Sequence, residues 1–273
     1  MSNISSVAEA RDSGFTDSAQ ERLIDRWIFV GTAVLMIAIV LAGFVPSSLE
    51  MLDRVAEGSR GPIPLVLHFH AVFMGSWLLL LLIQAILMAT DNGALHKKLG
   101  LLAFVLVPAM VITGFILVPE VRGTLYARLE TLPPEVAADL RENLLPRLTN
   151  IILVQIRAGF LVPFFIGMGL YFRRTSPETH RRLMLFGTAV PLGAAIVRLD
   201  FYTVFWPEWP LSTMYPFTLV LIPLLVRDLL AREPLNKAWW IFLGALLVVD
   251  LPIWLLWGTE TWMKLGPRLI GVA

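Results

Sequence analysis

Residues 96–100 read HKKLG and residues 180–184 read HRRLM. Each phrase follows one long apolar run and opens the next. A dense basic cluster between two apolar runs marks a short loop on the cytoplasmic side of a membrane. The two phrases therefore predict two helical hairpins whose mouths lie on the inner face. Outward from them, apolar runs near the ~20 residues needed to cross a bilayer core fall at 27–45, 63–90, 99–118, 150–172, 183–205, 212–230 and 238–258. The reading is an all-α integral membrane protein with seven transmembrane helices. A polar cytoplasmic tail, 1–26, precedes the membrane domain, 27–258. An outer loop, 119–149, interrupts that domain, and an outer C-terminal tail, 259–273, follows it.

Composition supports this class. The chain is 57% hydrophobic and 16% charged, with a mean hydropathy of +0.73. A soluble domain is about a quarter charged. No basic block suggests nucleic acid. Cysteine is absent, which excludes disulfides, iron–sulfur clusters, thiolate metal sites and cysteine nucleophiles. The N-terminus has no short apolar core ahead of a small-residue cleavage site, so no signal peptide is read.

Lysine and arginine set the orientation. With the N-terminus inside, 12 fall in inner segments and 8 in outer ones, while Arg157 and Arg198 lie within spans. The topology is therefore N-in, C-out in a bacterial cytoplasmic (inner) membrane. Trp206, Trp209, Trp257 and Trp262 then sit at the outer interface, and Trp239 and Trp240 at the inner one. In the outer loop, Pro133-Pro134 precedes EVAADLRENLL, whose Val136, Leu140 and Leu144 share one face. That is the pattern of a short amphipathic helix lying on the membrane surface. An offset of 84 maps His96 onto His180 and Gly75 onto Gly159. It also maps spans two and three onto spans four and five, as a parallel helix-pair repeat.

Ionisable groups inside spans are expensive and default to functional hypotheses. At ~1.5 Å of rise per residue, His68, His70, Arg157, Arg198, Asp200 and Asp250 all fall in the outer half of the bilayer. Gln155 and Tyr202 lie at similar depth. His70, Trp77 and Gln84 repeat every seven residues and share a face, as do Arg198 and Tyr202. These ten residues predict one polar pocket open to the outer side, able to take a small-molecule or lipid ligand. The other reading of the same residues is that Arg–Asp pairs only lock helices together. His68 and His70 form an HxH, but on a helix they point about 200° apart, so no metal is read there. His96 and His180 are equivalent in the repeat. Two histidines on separate helices at one depth are what a b-type haem requires for axial ligation. The alternative places each histidine at the lipid interface beside its basic neighbours.

Walker A, GxSxG and HExxH motifs are absent, and the seventh span has no mid-span lysine for a retinal Schiff base. The stretches LHFHAVFMGSWLLLLLIQAIL, HKKLGLLAFVLVPAMVITG and HRRLMLFGTAVPLGAAIVRL resemble a widespread family of uncharacterised bacterial multi-pass membrane proteins. Its members carry HxxxFxxWxxLxxxQxxL, then HRxLG, then HKRLM. The matching positions are His70, Trp77, Gln84, His96, Leu99, Gly100, His180, Arg182, Leu183, Met184 and Arg198, within residues 65–200. A looser similarity links the histidine-bearing helix pairs to b-type cytochromes. Three function classes follow: a redox or cofactor-binding protein holding haem b or a quinone-like ligand, a small-molecule or lipid transporter or sensor, and a structural accessory subunit of a membrane complex.

Overall fold

The computed structural model describes residues 3–199, 202, 210–231 and 234–272, with side chains from Leu23 onward. It is all-helical, with no strand among the described residues. Helix α1 runs Asn3–Ala56, α2 Leu65–Ala89, α3 Gly93–Leu99 and α4 Ala103–Leu129. Helices α5 (Pro134–Asp139) and α6 (Leu145–Phe172) follow, then α7 (Pro177–Ala189) and α8 (Gly193–Ile196). The last are α9 (Pro210–Met214), α10 (Ile222–Leu230), α11 (Lys237–Leu256) and α12 (Glu260–Leu269).

Among the described residues, five helices are long and apolar enough to cross a membrane: Leu23–Ala56, Leu65–Ala89, Gly93–Leu129, Pro134–Phe172 and Lys237–Leu256. The chain is thus a multi-pass membrane protein. The two remaining apolar runs, read above as 183–205 and 212–230, are broken helices. A 3₁₀ turn at Val190–Leu192 separates α7 from α8, and another at Pro216–Leu221 precedes α10. Each of these turns contains or adjoins a proline. Pro191, Pro216 and Pro223 each lack a backbone N–H and cannot continue an α-helical ladder from the preceding turn.

Broken backbone at membrane depth is tolerated where protein rather than lipid surrounds it. That is where these segments lie. Leu183, Leu185, Phe186, Ala189, Leu192 and Ala195 are all buried, as are Phe217, Val220, Leu221 and Leu224. Helices α1, α6 and α11 pack around α7 and α8. Phe186 is the hub, with its ring 4.7 Å from Trp239 and 4.8 Å from Phe242, whose ring lies 5.6 Å from Phe165. These separations are in the range where aromatic pairs attract beyond their burial.

Two other expectations need correction. The surface helix in the outer loop is the continuation of a span. Pro134 starts a helix that passes through a π-turn at Leu140–Leu144 into α6. Since α4 extends to Leu129, the predicted 119–149 loop shrinks to a turn near 130–133. The C-terminal tail is also folded. Helix α12 lies against α6, where Trp262 is buried and donates from Nε1 to the Thr149 carbonyl at 2.9 Å. Trp262 is thus a packing residue and not an interfacial anchor.

The α1–α8 crossing is unusually close. A Cβ on Gly43 would lie 2.2 Å from the Ala195 carbonyl oxygen, a backbone atom with no room to yield. Gly75 faces open space within 4 Å, unlike its repeat partner Gly159, whose Cα sits under the Phe115 ring. Gly43→Ala should therefore lower thermal stability in detergent by about 1–3 kcal/mol or more, the cost of overpacking. Gly75→Ala should change it little, and a thermal unfolding comparison of the two variants checks this.

Candidate functional site

The site is built at the two hairpin mouths. After α2 the chain reverses through Asp91, whose φ of 61° is left-handed, and Asn92 then precedes α3. His96 is the fourth residue of α3, and its backbone N–H bonds the Asn92 carbonyl at 3.1 Å. After α6 the chain reverses again, and Ser176 precedes α7. His180 is the fourth residue of α7, with its N–H on the Ser176 carbonyl at 2.9 Å. The two histidines therefore occupy the same place in two similar turns. They also meet: their ring centroids are 6.3 Å apart, with planes at 87°.

Hydrogen bonding fixes part of the chemistry. His180 Nδ1 lies 2.8 Å from the Gly169 carbonyl oxygen. A carbonyl only accepts, so Nδ1 carries the proton, and the neutral ring presents an unprotonated Nε2. That is the tautomer a metal ligand uses, with its other nitrogen held by a backbone carbonyl. His96 Nδ1 is buried with no hydrogen-bond partner. The side-chain nitrogen and oxygen of Gln84, near the end of α2, are in the same condition. Buried orphans of this kind cost about 1–3 kcal/mol each, so their accumulation around one hairpin favours a ligand that satisfies them. Lys97, Lys98, Arg173, Arg174 and Arg181 flank the two histidines in sequence.

Of the ten residues of the expected outer pocket, Asp200 lies outside the described residues and the others make separate contacts. Arg157 and Asp250 do pair, joining α6 to α11. Arg157 Nε donates to Oδ1 at 2.5 Å and Nη2 to Oδ2 at 3.1 Å, and the two residues are 2% and 3% exposed. Nη1 donates to the Met214 carbonyl at 3.2 Å, and the Tyr215 hydroxyl donates to Asp250 Oδ2 at 2.8 Å. The guanidinium also lies 5.2 Å from the Phe217 ring centroid. This cluster is closed on itself. His70 instead contacts Thr113 Oγ1 on α4 at 3.1 Å, and His68 is exposed. Trp77 reaches α7, donating to Thr188 Oγ1 at 2.9 Å. Arg198 is exposed, donates to the Ala194 carbonyl and stacks 4.6 Å from the Phe44 ring centroid. Tyr202 is buried with its hydroxyl on the Ser212 carbonyl. Gln155 Oε1 is buried without a partner, and Asp200 lies outside the described residues.

A second buried pair is absent from the sequence reading. Arg182 grips Asp228 of α10 with Nε on Oδ2 at 2.7 Å and Nη2 on Oδ1 at 2.6 Å. Trp239 Nε1 donates to Oδ2 at 2.8 Å, so Trp239 is a core donor and not an interfacial anchor. An acid near the end of the apolar run LIPLLVRDLL was the available signal. Among the described residues, no group of three or more His, Asp or Glu side chains could hold a metal ion.

Comparison with protein-family models, curated proteins and solved structures finds no match to this chain.

Removing one partner of a buried ion pair leaves the other charge uncompensated, at a cost of about 3–5 kcal/mol. Arg157→Met should therefore lower the thermal midpoint strongly. The double variant Arg157→Met with Asp250→Leu should recover most of the loss. A double-mutant cycle by thermal unfolding in detergent measures both.

Proposed function

We propose that this is a seven-span, N-in/C-out protein of the bacterial cytoplasmic membrane. On this reading it holds a single b-type haem between His96 and His180, near the inner face. The five long helices and the two broken ones supply the seven crossings, and the basic hairpins at 97–98 and 173–182 orient them. The segments α2–α4 and α6–α8 are then two copies of one hairpin about a local two-fold axis. Kinship with the multi-pass family whose landmarks are HRxLG and HKRLM belongs to the same proposal.

One observation carries the reading: two imidazoles from equivalent turns lie 6.3 Å apart. At that spacing the two imidazoles would hold the iron of a haem between them, where it would supply redox chemistry. The proton fixed on His180 Nδ1 leaves its Nε2 as a donor to the metal. The basic residues beside the rings suit two carboxylate substituents, and the Gln84 amide is an uncommitted donor and acceptor close by in the fold. The haem, when bound, supplies a one-electron couple. The protein's own residues orient it, exclude water from it and offset its carboxylates. His96 sits beside the Gln84 backbone, and His68 and His70 lie 16 and 14 residues further back along α2, roughly 20–25 Å, so the arrangement suits electron exchange at one face and not conduction across the bilayer. The orphan atoms of Gln84 and Gln155 favour, as a second reading, a small polar ligand or lipid headgroup held inside the bundle.

The test is the absorption spectrum of protein purified in mild detergent after expression with haem supply. The proposal expects a Soret band with sharp α and β bands on dithionite reduction. It expects their loss in His96→Ala and in His180→Ala, and their retention in His68→Ala and His70→Ala. A featureless spectrum, or one unchanged in both of the first two variants, contradicts it.

A further inference from the structure

A separate cavity of about 190 Å³ opens beside the mouth of the α6–α7 hairpin, lined by Asp25, Glu178, Arg181, Arg182, Arg227, Asp228, Ala231, Pro234 and Asn236. Its size is below that of a drug-sized pocket and suits a small fragment. Among the described residues its charge is balanced, with three arginines facing three carboxylates. A bare anion would meet three acids there, and a bare cation three guanidinium groups.

The bonding pattern shows which atoms remain for a ligand. At the floor, Arg182 and Asp228 hold each other, each side chain 4% exposed. At the mouth, Glu178 and Asp25 are 52% and 43% exposed. Both ion pairs of Glu178, to Arg181 and Arg182, are made through Oε2. Both contacts of Asp25 with Arg227 are made through Oδ1. Glu178 Oε1 and Asp25 Oδ2 are thus uncommitted among the described residues. On the donor side, Arg181 Nε is buried with no partner while its guanidinium stacks 4.2 Å from the Phe29 ring centroid. Asn236 Oδ1 accepts from Thr179 Oγ1 and the Ala238 N–H, so this residue offers a ligand its NH₂ group. Two carboxylate oxygens and two N–H donors without a partner among the described residues thus belong to side chains that line one small cavity at the ends of membrane helices.

We propose that this cavity binds the headgroup of a zwitterionic phospholipid of the phosphoethanolamine class. The primary ammonium would donate to Glu178 Oε1 and Asp25 Oδ2. A phosphate oxygen would accept from Arg181 Nε and Asn236. A primary ammonium has three N–H donors, whereas a quaternary one has none, so the site discriminates between ethanolamine and choline headgroups.

The experiment is native mass spectrometry of the detergent-purified full chain, titrated in parallel with phosphatidylethanolamine, phosphatidylcholine and phosphatidylglycerol of identical acyl chains. The proposal expects ethanolamine lipid to bind at least about tenfold tighter than either competitor, a 1.4 kcal/mol preference. It expects Glu178→Gln and Arg181→Gln each to erase that preference, while Arg173→Gln retains it. Equal binding of choline lipid would overturn recognition of the ammonium. Equal or tighter binding of glycerol lipid would show a plain anion site. Full competition by soluble O-phosphoethanolamine would overturn the lipid as the source. The wild-type comparison stands alone should a variant fail to fold.

Discussion

Pro191 lacks the backbone hydrogen that an α-helix donates, and the 3₁₀ turn in which it sits at Val190–Leu192 cannot be left open to hydrocarbon. The bundle is arranged around that constraint. The broken segment from α7 to α8 is central, and the continuous helices α1, α6 and α11 enclose it. Gly43 lets α1 approach the Ala195 carbonyl, and the Trp77 indole reaches Thr188 from α2. The start of the same segment carries His180 and Arg182. The element that most needs protein around it is thus also the one that presents these two side chains.

Two buried ion pairs share one design. In each, an arginine grips an aspartate with two N–H groups, and an aromatic side chain donates a further hydrogen bond to the same carboxylate. Tyr215 does so at Asp250 and Trp239 at Asp228. Removing these charges from water offsets much of their mutual attraction, so such pairs are weak evidence for net stability. What they set is partner choice: α6 with α11, and α7 with α10. The pair at Asp228 also stands at the floor of the mixed-charge cavity, where locked charges leave the mouth atoms free to meet a ligand.

Much of the architecture was legible because it depends on local pattern. Apolar runs marked the long helices, and the repeated HKKL and HRRL phrases placed two histidines in equivalent turns that the fold then brings together. What was illegible depends on azimuth. Depth in a membrane follows from counting residues, but the direction of a side chain around its helix follows from packing. His70, Arg157 and Arg198 share a depth yet face α4, α11 and α1 respectively. The seven-residue spacing of His70, Trp77 and Gln84 put them on one face, but His70 meets α4, Trp77 meets α7 and the Gln84 amide has no hydrogen-bond partner. Asp228 was missed, and Trp239 was read only as interfacial, because each sits near a helix end, where a charge or an indole reads that way. The continuation of α6 back to Pro134 was read as a separate surface helix because its acids and arginines interrupt the apolar run.

The chain contains no cysteine, so a thiol pair can be placed without background. The central claim is that the two hairpin mouths meet at His96 and His180. It is tested most directly by treating a His96→Cys/His180→Cys variant with a short bifunctional maleimide, and a His68→Cys/His180→Cys variant as its control. The account predicts efficient intramolecular cross-linking in the first and none in the second. Failure of the first pair to cross-link, or equal reaction of both, would contradict it.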